Sequence, residues 1–169
     1  MKNVYLVGMM GSGKTTTGKA LAQLLKMPFV DLDDRIVDRA GQSINDIFST
    51  HGESYFRKLE NELLKEMVTQ TGQVVATGGG VVLDPKNVII LKKAKPVIYL
   101  KTSLETLWGR VKEKQDRPLL RGPDPKKTLA GLLEAREPLY QAVTSMIYVT
   151  DRKTPQEAAD EIFETYFQK

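Results

Sequence analysis

The chain has 169 residues, enough for one ordinary domain, and its 25 Lys and Arg against 21 Asp and Glu give a net charge of +4. Its hydrophobic fraction of 41% and charged fraction of 27% exclude a disordered or collagen-like chain. The lack of cysteine excludes disulfides and thiolate catalysis, and the single histidine, His51, excludes a multi-histidine metal centre. Hard oxygen ligands are the metal chemistry that remains.

Short β-rich segments alternate with longer helical patterns along the chain. Strands are predicted at 4–7, 28–31, 74–76, 97–100 and 146–149. Helices are predicted at 14–26, 54–71, 85–93, 103–114, 126–140 and 155–167. Ser103 and Thr154 are predicted to cap the helices that follow them. This alternation favours a single α/β domain over 1–169, with a five-stranded parallel sheet covered by helices on both faces.

Two segments interrupt the alternation. The segment 33–49 is predicted to form two short helices broken at Gly41, as an insertion over one edge of the site. The segment 115–127 is rich in Arg, Pro, Gly and Lys, which is typical of a long polar loop. Gly122 and Pro123 suit a loop that closes over a nucleotide and excludes water.

Residues 8–15 fit the pattern G-x-x-x-x-G-K-[ST], directly after a predicted strand and at the start of a predicted helix. Glycines let the backbone approach phosphates closely, and a helix start directs free N–H groups and a positive dipole end at them. Lys14 adds a positive charge, and Thr15 is the expected Mg²⁺ ligand. The segment therefore predicts a nucleotide-phosphate site.

Three aspartates follow the second predicted strand. Alternation places Asp31 and Asp33 on one side, at the sheet edge where such folds bind ligands. One carboxylate could hold Mg²⁺ through water and the next could accept hydrogen bonds from a substrate hydroxyl. Asp34 is expected to cap the following helix.

Gly78, Gly79 and Gly80 follow the third predicted strand. They either let a substrate lie against exposed backbone N–H groups or form a sharp turn that binds nothing. That strand ends without an acidic residue, so a metal would depend on Thr15, Asp31 and phosphate oxygens.

Three arginines are candidates for anion binding: Arg57, Arg117 and Arg136. A guanidinium can bind a carboxylate or phosphate through two hydrogen bonds, and one on a mobile loop can neutralise a phosphoryl group in transfer. Taken one at a time, each is better explained as a surface ion pair.

The ordered set of motifs resembles the shikimate kinases from about residue 4 to about residue 155. The matching segments are Gly-Met-Met-Gly-Ser-Gly-Lys-Thr at 8–15, Asp-Leu-Asp at 31–33, Ser-Ile-Asn-Asp-Ile-Phe at 43–48, Gly-Glu-Ser-Tyr-Phe-Arg at 52–57, the glycines at 78–80, Arg-Pro-Leu-Leu at 117–120 and Arg-Glu-Pro-Leu-Tyr at 136–140. The resemblance implies a three-layer P-loop fold with strand order 2-3-1-4-5. It also implies transfer of the γ-phosphoryl group of ATP to the 3-hydroxyl of shikimate, with Mg²⁺, in the pathway to chorismate.

The resemblance also implies roles for individual residues. The implied catalytic residues are Lys14, Asp33 and Arg117, and the metal residues are Thr15 and Asp31. The implied ATP-binding residues are Gly11, Ser12, Gly13, Lys14, Thr15, Thr16, Arg110, Arg117 and Arg152. The implied shikimate-binding residues are Asp33, Phe48, Phe56, Arg57, Gly78, Gly79, Gly80 and Arg136, with Glu60 orienting Arg57. The substrate-binding region would span about 33–61 and the lid about 112–125.

Two alternatives stay open. Another small P-loop kinase, for gluconate or a nucleotide, could use the same arginines, because a sugar acid also carries a carboxylate. A nucleotide-binding or regulatory module without transfer activity is the second. Because the basic residues are scattered and often beside acids, we expect no nucleic-acid partner. We also expect a cytoplasmic monomer without a membrane partner.

Overall fold

The computed structural model describes residues 2–114 and 117–168. Its strands are β1 (Val4–Val7), β2 (Phe29–Asp31), β3 (Val74–Ala76), β4 (Val97–Lys101) and β5 (Met146–Val149). They form one parallel sheet in the order β2-β3-β1-β4-β5. The α/β class and the 2-3-1-4-5 order are therefore confirmed.

The helices lie between and after the strands. They are α1 (Lys14–Leu25), α2 (Leu32–Ala40), α3 (Ile44–Thr69), α4 (Pro85–Lys93), α5 (Leu104–Val111), α6 (Pro125–Val143) and α7 (Pro155–Ile162). Short turns of 3-10 helix cover 81–83 and 118–120, and a π-helical turn covers 163–167. Among the described residues no helix is long and apolar enough to cross a membrane.

The insertion after β2 has the predicted break. Gly41 ends α2 with a φ of 63°, and α3 begins at Ile44 with Ser43 accepting a hydrogen bond from the Asp46 N–H at 3.1 Å. The helix predicted from residue 54 belongs to the same α3, which has a single interruption at Gly52, where φ is 81°. The segment therefore folds over the sheet edge as α2 and the first turns of α3.

Local signals located several helix ends correctly. The Ser103 hydroxyl accepts from the Thr106 N–H at 3.3 Å, and Thr154 forms a reciprocal capping box with Glu157. Several predicted ends differ from the observed ones. Helix α5 ends at Val111 and α3 at Thr69, both earlier than predicted, and α6 runs from Pro125 to Val143, so the polar loop before it is shorter than predicted. The α-helical part of α7 ends at Ile162 and is followed by the π-helical turn.

The hydrophobic core lies on both faces of the sheet. Along β1, Tyr5 and Val7 belong to one apolar cluster, and Val4 and Leu6 belong to the other. All four side chains are buried, because helices cover both faces, as parallel sheets require. This arrangement leaves the carboxyl ends of β2, β3 and β1 side by side as the edge from which the functional loops extend.

Candidate active site

The phosphate loop connects β1 directly to α1. Gly13 precedes the helix with φ of 90°, a left-handed conformation that glycine adopts without strain. A Cβ atom at Gly11 would lie 2.7 Å from Val111 of α5, so the loop passes too close to its neighbour for a side chain. The sequence thus folds into a tight turn that opens onto the N-terminus of α1.

Lys14 is held across this loop. Its Nζ donates to the Gly8 carbonyl at 2.8 Å and to the Met9 carbonyl at 2.9 Å. Burial lowers the pKa of Lys14 to about 8, and the positive charges of Arg117 and Arg136 act in the same direction. An anionic phosphate would supply the opposite charge that stabilises the ammonium group.

Thr15 and Asp31 meet at the end of β2. The Thr15 hydroxyl donates to Asp31 Oδ2 at 2.7 Å, and Asp31 Oδ1 accepts from the Asp33 N–H at 3.0 Å. The expectation that Asp34 caps the next helix is wrong, because α2 starts immediately after β2 and Asp31 is its cap. A hydroxyl and a carboxylate beside the phosphate loop are the oxygen donors that Mg²⁺ prefers. The predicted pair therefore fits this ion.

A cavity of about 570 Å³ opens over the phosphate loop. The residues expected to bind ATP that line it are Gly11, Ser12, Gly13, Lys14, Thr15, Thr16, Arg110 and Arg117. Arg110 also donates from Nη1 to the Gly11 carbonyl at 2.9 Å, so α5 is tied to the loop. Arg152 has a φ of 59° and an exposed side chain. Among the described residues, its neighbour Lys153 lines the cavity and Arg152 does not.

A second cavity, of about 320 Å³, lies between the sheet edge and the inserted helices. Every residue expected to bind shikimate lines it: Asp33, Phe48, Phe56, Arg57, Gly78, Gly79, Gly80 and Arg136. The rings of Phe48 and Phe56 form one wall, with centroids 5.0 Å apart. A wall of two aromatic rings beside cationic groups suits a compact ring that carries an anionic substituent.

Two arginines supply the positive charge of this cavity. Arg57 Nη1 donates to Glu60 Oε1 at 3.0 Å, and a second carboxylate, Glu53, lies 3.3 Å from Nη2. Arg136 extends from α6 and is only 3% exposed. A Cβ at Gly80 would lie 2.3 Å from Arg57 Nη2, so this glycine leaves the space that the guanidinium occupies. The two side chains can therefore hold one carboxylate between them.

Two carboxyl oxygens face the same part of this cavity wall without a hydrogen-bond partner among the described residues. They are Asp33 Oδ1 and Glu60 Oε2, which would lie 2.9 Å and 2.8 Å from a Cβ at Gly78. Burial raises the pKa of both groups, that of Glu60 to about 7. Asp33 thus presents an oxygen that a substrate hydroxyl could satisfy.

The two cavities meet at shared residues. Met10, Asp33, Gly79 and Arg117 line both of them. A phosphoryl group on one side and a hydroxyl on the other would therefore meet beside Asp33 and Arg117. The expected lid, 112–125, includes residues 115 and 116, which lie outside the described residues.

The lining also includes residues to which the sequence assigned no binding role. They include Met10, Ile44, Asn45, Leu119, Lys114, Lys153 and Thr154. Met10 stands at a variable position of the phosphate-loop pattern, so only its place between the two glycines could have drawn attention to it. The others occupy helix starts and loop ends, where no spacing rule distinguishes a lining side chain from an exposed one.

A glycine-rich phosphate loop on a 2-3-1-4-5 parallel sheet, next to a cavity lined by two arginines, is typical of a P-loop kinase. A family model described as shikimate kinase matches residues 10–167. The shikimate kinase of a Sulfurihydrogenibium species is 46% identical over 162 residues, covering 96% of each chain. That of Caldanaerobacter subterraneus is 44% identical over 166 residues, covering 98% of this chain and 96% of the relative.

Solved structures give the same result. The shikimate kinase from Acinetobacter baumannii in complex with shikimate superposes with a TM-score of 0.96 and 37% identity. The match covers 99% of this chain and 94% of that one. The chain belongs to the shikimate kinase family.

Proposed function

We propose that this protein transfers the γ-phosphoryl group of ATP to the 3-hydroxyl of shikimate, giving shikimate 3-phosphate and ADP, as a step towards chorismate and the aromatic amino acids. In this reaction a bond forms between the hydroxyl oxygen and the γ-phosphorus, and the bond from that phosphorus to the β,γ-bridging oxygen breaks. The observation that carries the proposal is the meeting of a phosphate-loop cavity and a two-arginine cavity at Asp33 and Gly79.

The nucleotide half of the reaction belongs to the phosphate loop. Backbone N–H groups of Gly11, Ser12 and Gly13 and the N-terminus of α1 would bind the phosphates. Lys14 would move from the Gly8 and Met9 carbonyls towards them. Thr16 and Arg110 complete the lining on this side, and Arg152 stays a candidate for adenine contact from outside the cavity wall.

Thr15 would bind Mg²⁺ directly, and Asp31 would hold it through water, since their hydrogen bond already brings the two oxygens together. When bound with ATP, the ion neutralises charge on the phosphate oxygens.

The shikimate half belongs to the second cavity. Arg57 and Arg136 would bind the carboxylate, and the hydrogen bond from Arg57 to Glu60 would hold the guanidinium in place for it. Gly78, Gly79 and Gly80 would offer backbone to the hydroxyls, with Phe48 and Phe56 along the ring. We assign substrate binding to region 33–61 and the lid to region 112–125, within one domain.

Asp33 would accept a hydrogen bond from the 3-hydroxyl and so orient its oxygen towards the phosphorus. Because phosphoryl transfer has a loose transition state, charge stabilisation by Lys14 and Arg117 outweighs proton removal by Asp33. The proton leaves the hydroxyl late, to Asp33 or to solvent. We propose that the protein works in the cytoplasm, where ATP is available, and as a monomer. One chain supplies every proposed site residue, so the reaction would need no second subunit.

A coupled assay of ADP release tests the proposal. Mg-ATP is offered with shikimate, quinate, gluconate or a nucleoside monophosphate in separate reactions. Shikimate should stimulate release most strongly. Stronger stimulation by gluconate would favour the sugar-acid alternative, and nucleotide binding without stimulation by any acceptor would favour a non-catalytic module.

A further inference from the structure

A buried tyrosine outside the expected set of site residues joins several parts of the site. Tyr140 lies in α6 and is 0% exposed. Its ring stacks on Tyr99, with centroids 5.1 Å apart and planes at 28°. Its hydroxyl donates a hydrogen bond to the Gly79 carbonyl, and Met9 Sδ of the phosphate loop lies 3.4 Å from the same oxygen.

The same hydroxyl contacts the carboxylate-binding side of the site. Arg136, one helical turn earlier in α6, lies close enough to the Tyr140 hydroxyl for its positive charge to oppose the effect of burial on the pKa of that hydroxyl. A phenol has one proton to donate and lone pairs to accept, so it can accept from Arg136 and donate to Gly79 at once. Burial raises the pKa of Tyr140, so the hydroxyl keeps the proton that it donates.

The position of Gly79 makes this contact important for substrate binding. A Cβ there would lie 3.2 Å from the Met10 nitrogen and 3.6 Å from Arg136 Nη1, so Gly79 is wedged between the phosphate loop and the arginine. In a planar trans peptide, the N–H of the next residue points away from the carbonyl. Fixing the Gly79 carbonyl therefore also fixes the direction of the Gly80 N–H.

We propose that Tyr140 is a positioning residue that holds the Arg136 guanidinium and the Gly79–Gly80 peptide in the arrangement that binds the carboxylate-bearing acceptor. This inference rests on the proposed function. Tyr140 lines neither cavity, and it acts through the Gly79 carbonyl, to which it is hydrogen-bonded, and through the neighbouring Arg136 guanidinium. Loss of the hydroxyl would leave the Gly79 carbonyl without its buried donor and Arg136 without the polar oxygen beside it.

The test compares two variants that each remove one hydroxyl from the same stacked pair. Tyr140→Phe removes the hydrogen bond to Gly79 and the oxygen that lies beside Arg136. Tyr99→Phe is the matched control, because the Tyr99 hydroxyl is buried and has no hydrogen-bond partner among the residues described. The KM for shikimate, the KM for ATP and kcat are measured for both variants and for the wild type.

We expect Tyr140→Phe to raise the KM for shikimate by about tenfold and to change the KM for ATP by less than about twofold. Tyr99→Phe should keep both wild-type values. A merely destabilised enzyme would have a smaller active fraction, which lowers kcat and leaves both KM values unchanged. That pattern, or a parallel rise in both KM values, would overturn the proposal.

A measurement on the wild type covers the case in which Tyr140→Phe does not fold. The hydroxyl proton of Tyr140, enclosed between Gly79 and Arg136, should give a slowly exchanging proton NMR signal that shifts when shikimate binds. A signal that does not respond to shikimate would overturn the proposal. If the wild type shows no shikimate-dependent ADP release, the proposed function itself is refuted. If the wild type is active and Tyr140→Phe behaves like Tyr99→Phe, only the role of Tyr140 is refuted.

Discussion

The buried carboxyl group of Glu60 predicts an unusual dependence of stability on pH. Glu60 is 0% exposed, and burial raises its pKa from 4.5 to about 7 even though Arg57 lies 3.0 Å away and opposes the change. Between these two pH values the folded protein keeps a proton that the unfolded chain has already released. The stability contributed by this proton is complete below the unfolded pKa and is lost as the pH rises through the folded pKa.

The size of the effect follows from the two pKa values. Each pH unit between them is worth about 1.4 kcal/mol, so Glu60 lowers the free energy of unfolding by about 2 to 3 kcal/mol between about pH 5 and about pH 8. Glu60→Gln keeps the shape of the side chain and removes its titration. The free energy of unfolding of the wild type, minus that of the variant, should therefore fall by about 2 to 3 kcal/mol from about pH 5 to about pH 8.

Urea unfolding at several pH values measures this difference. Glu66→Gln, on the same helix, is the matched control, because a hydrogen bond from Arg39 lowers the pKa of Glu66 and its side chain is 48% exposed. Its difference should be small and nearly flat between about pH 5 and about pH 8, because a group with a lowered pKa changes its contribution to stability only at lower pH. A wild-type minus Glu60→Gln difference that stays flat with pH would refute the reasoning from burial.

Three further substitutions test the proposed site through kinetics and binding. Lys14→Ala should lower kcat by at least about a hundredfold by removing charge stabilisation at the phosphates, and ordinary turnover would refute that role. Arg136→Ala should weaken shikimate binding, measured by calorimetry, by about ten- to a hundredfold and leave nucleotide affinity nearly intact. Loss of ATP binding would refute the assignment of shikimate to one cavity and ATP to the other. Gly80→Ala should raise the KM for shikimate, because the new Cβ would displace the Arg57 guanidinium. The melting temperature should change little, because the end of the arginine side chain is flexible and can move away. An unchanged KM would contradict this geometry.

The phosphate loop and the strand–helix alternation could be predicted from sequence because their signals are local. The order of the strands came from resemblance, since five short apolar strands carry no internal signal that places β3 between β2 and β1. The helix cap after β2 was assigned to the wrong residue for a similar reason. No loop separates β2 from α2, so the capping residue is Asp31, the last residue of the strand.

Long-range contacts were the least predictable part of the site. Tyr140 and Gly79 are 61 positions apart, and only the packing of α6 against the sheet edge brings the hydroxyl to the carbonyl. At the expected adenine contact, Arg152 has a left-handed backbone and an exposed side chain, and its neighbour Lys153 lines the cavity. Such details depend on backbone geometry that residue types alone do not specify.

The most direct test of the proposed function identifies the product. The protein is incubated with Mg-ATP and shikimate, and the phosphorylated compound is examined by mass spectrometry and by phosphorus–proton correlation NMR. We predict one new phosphate ester on the 3-hydroxyl, formed in equal amount to ADP. ADP formed with free phosphate and no phosphorylated shikimate, or an ester at another hydroxyl, would contradict the account.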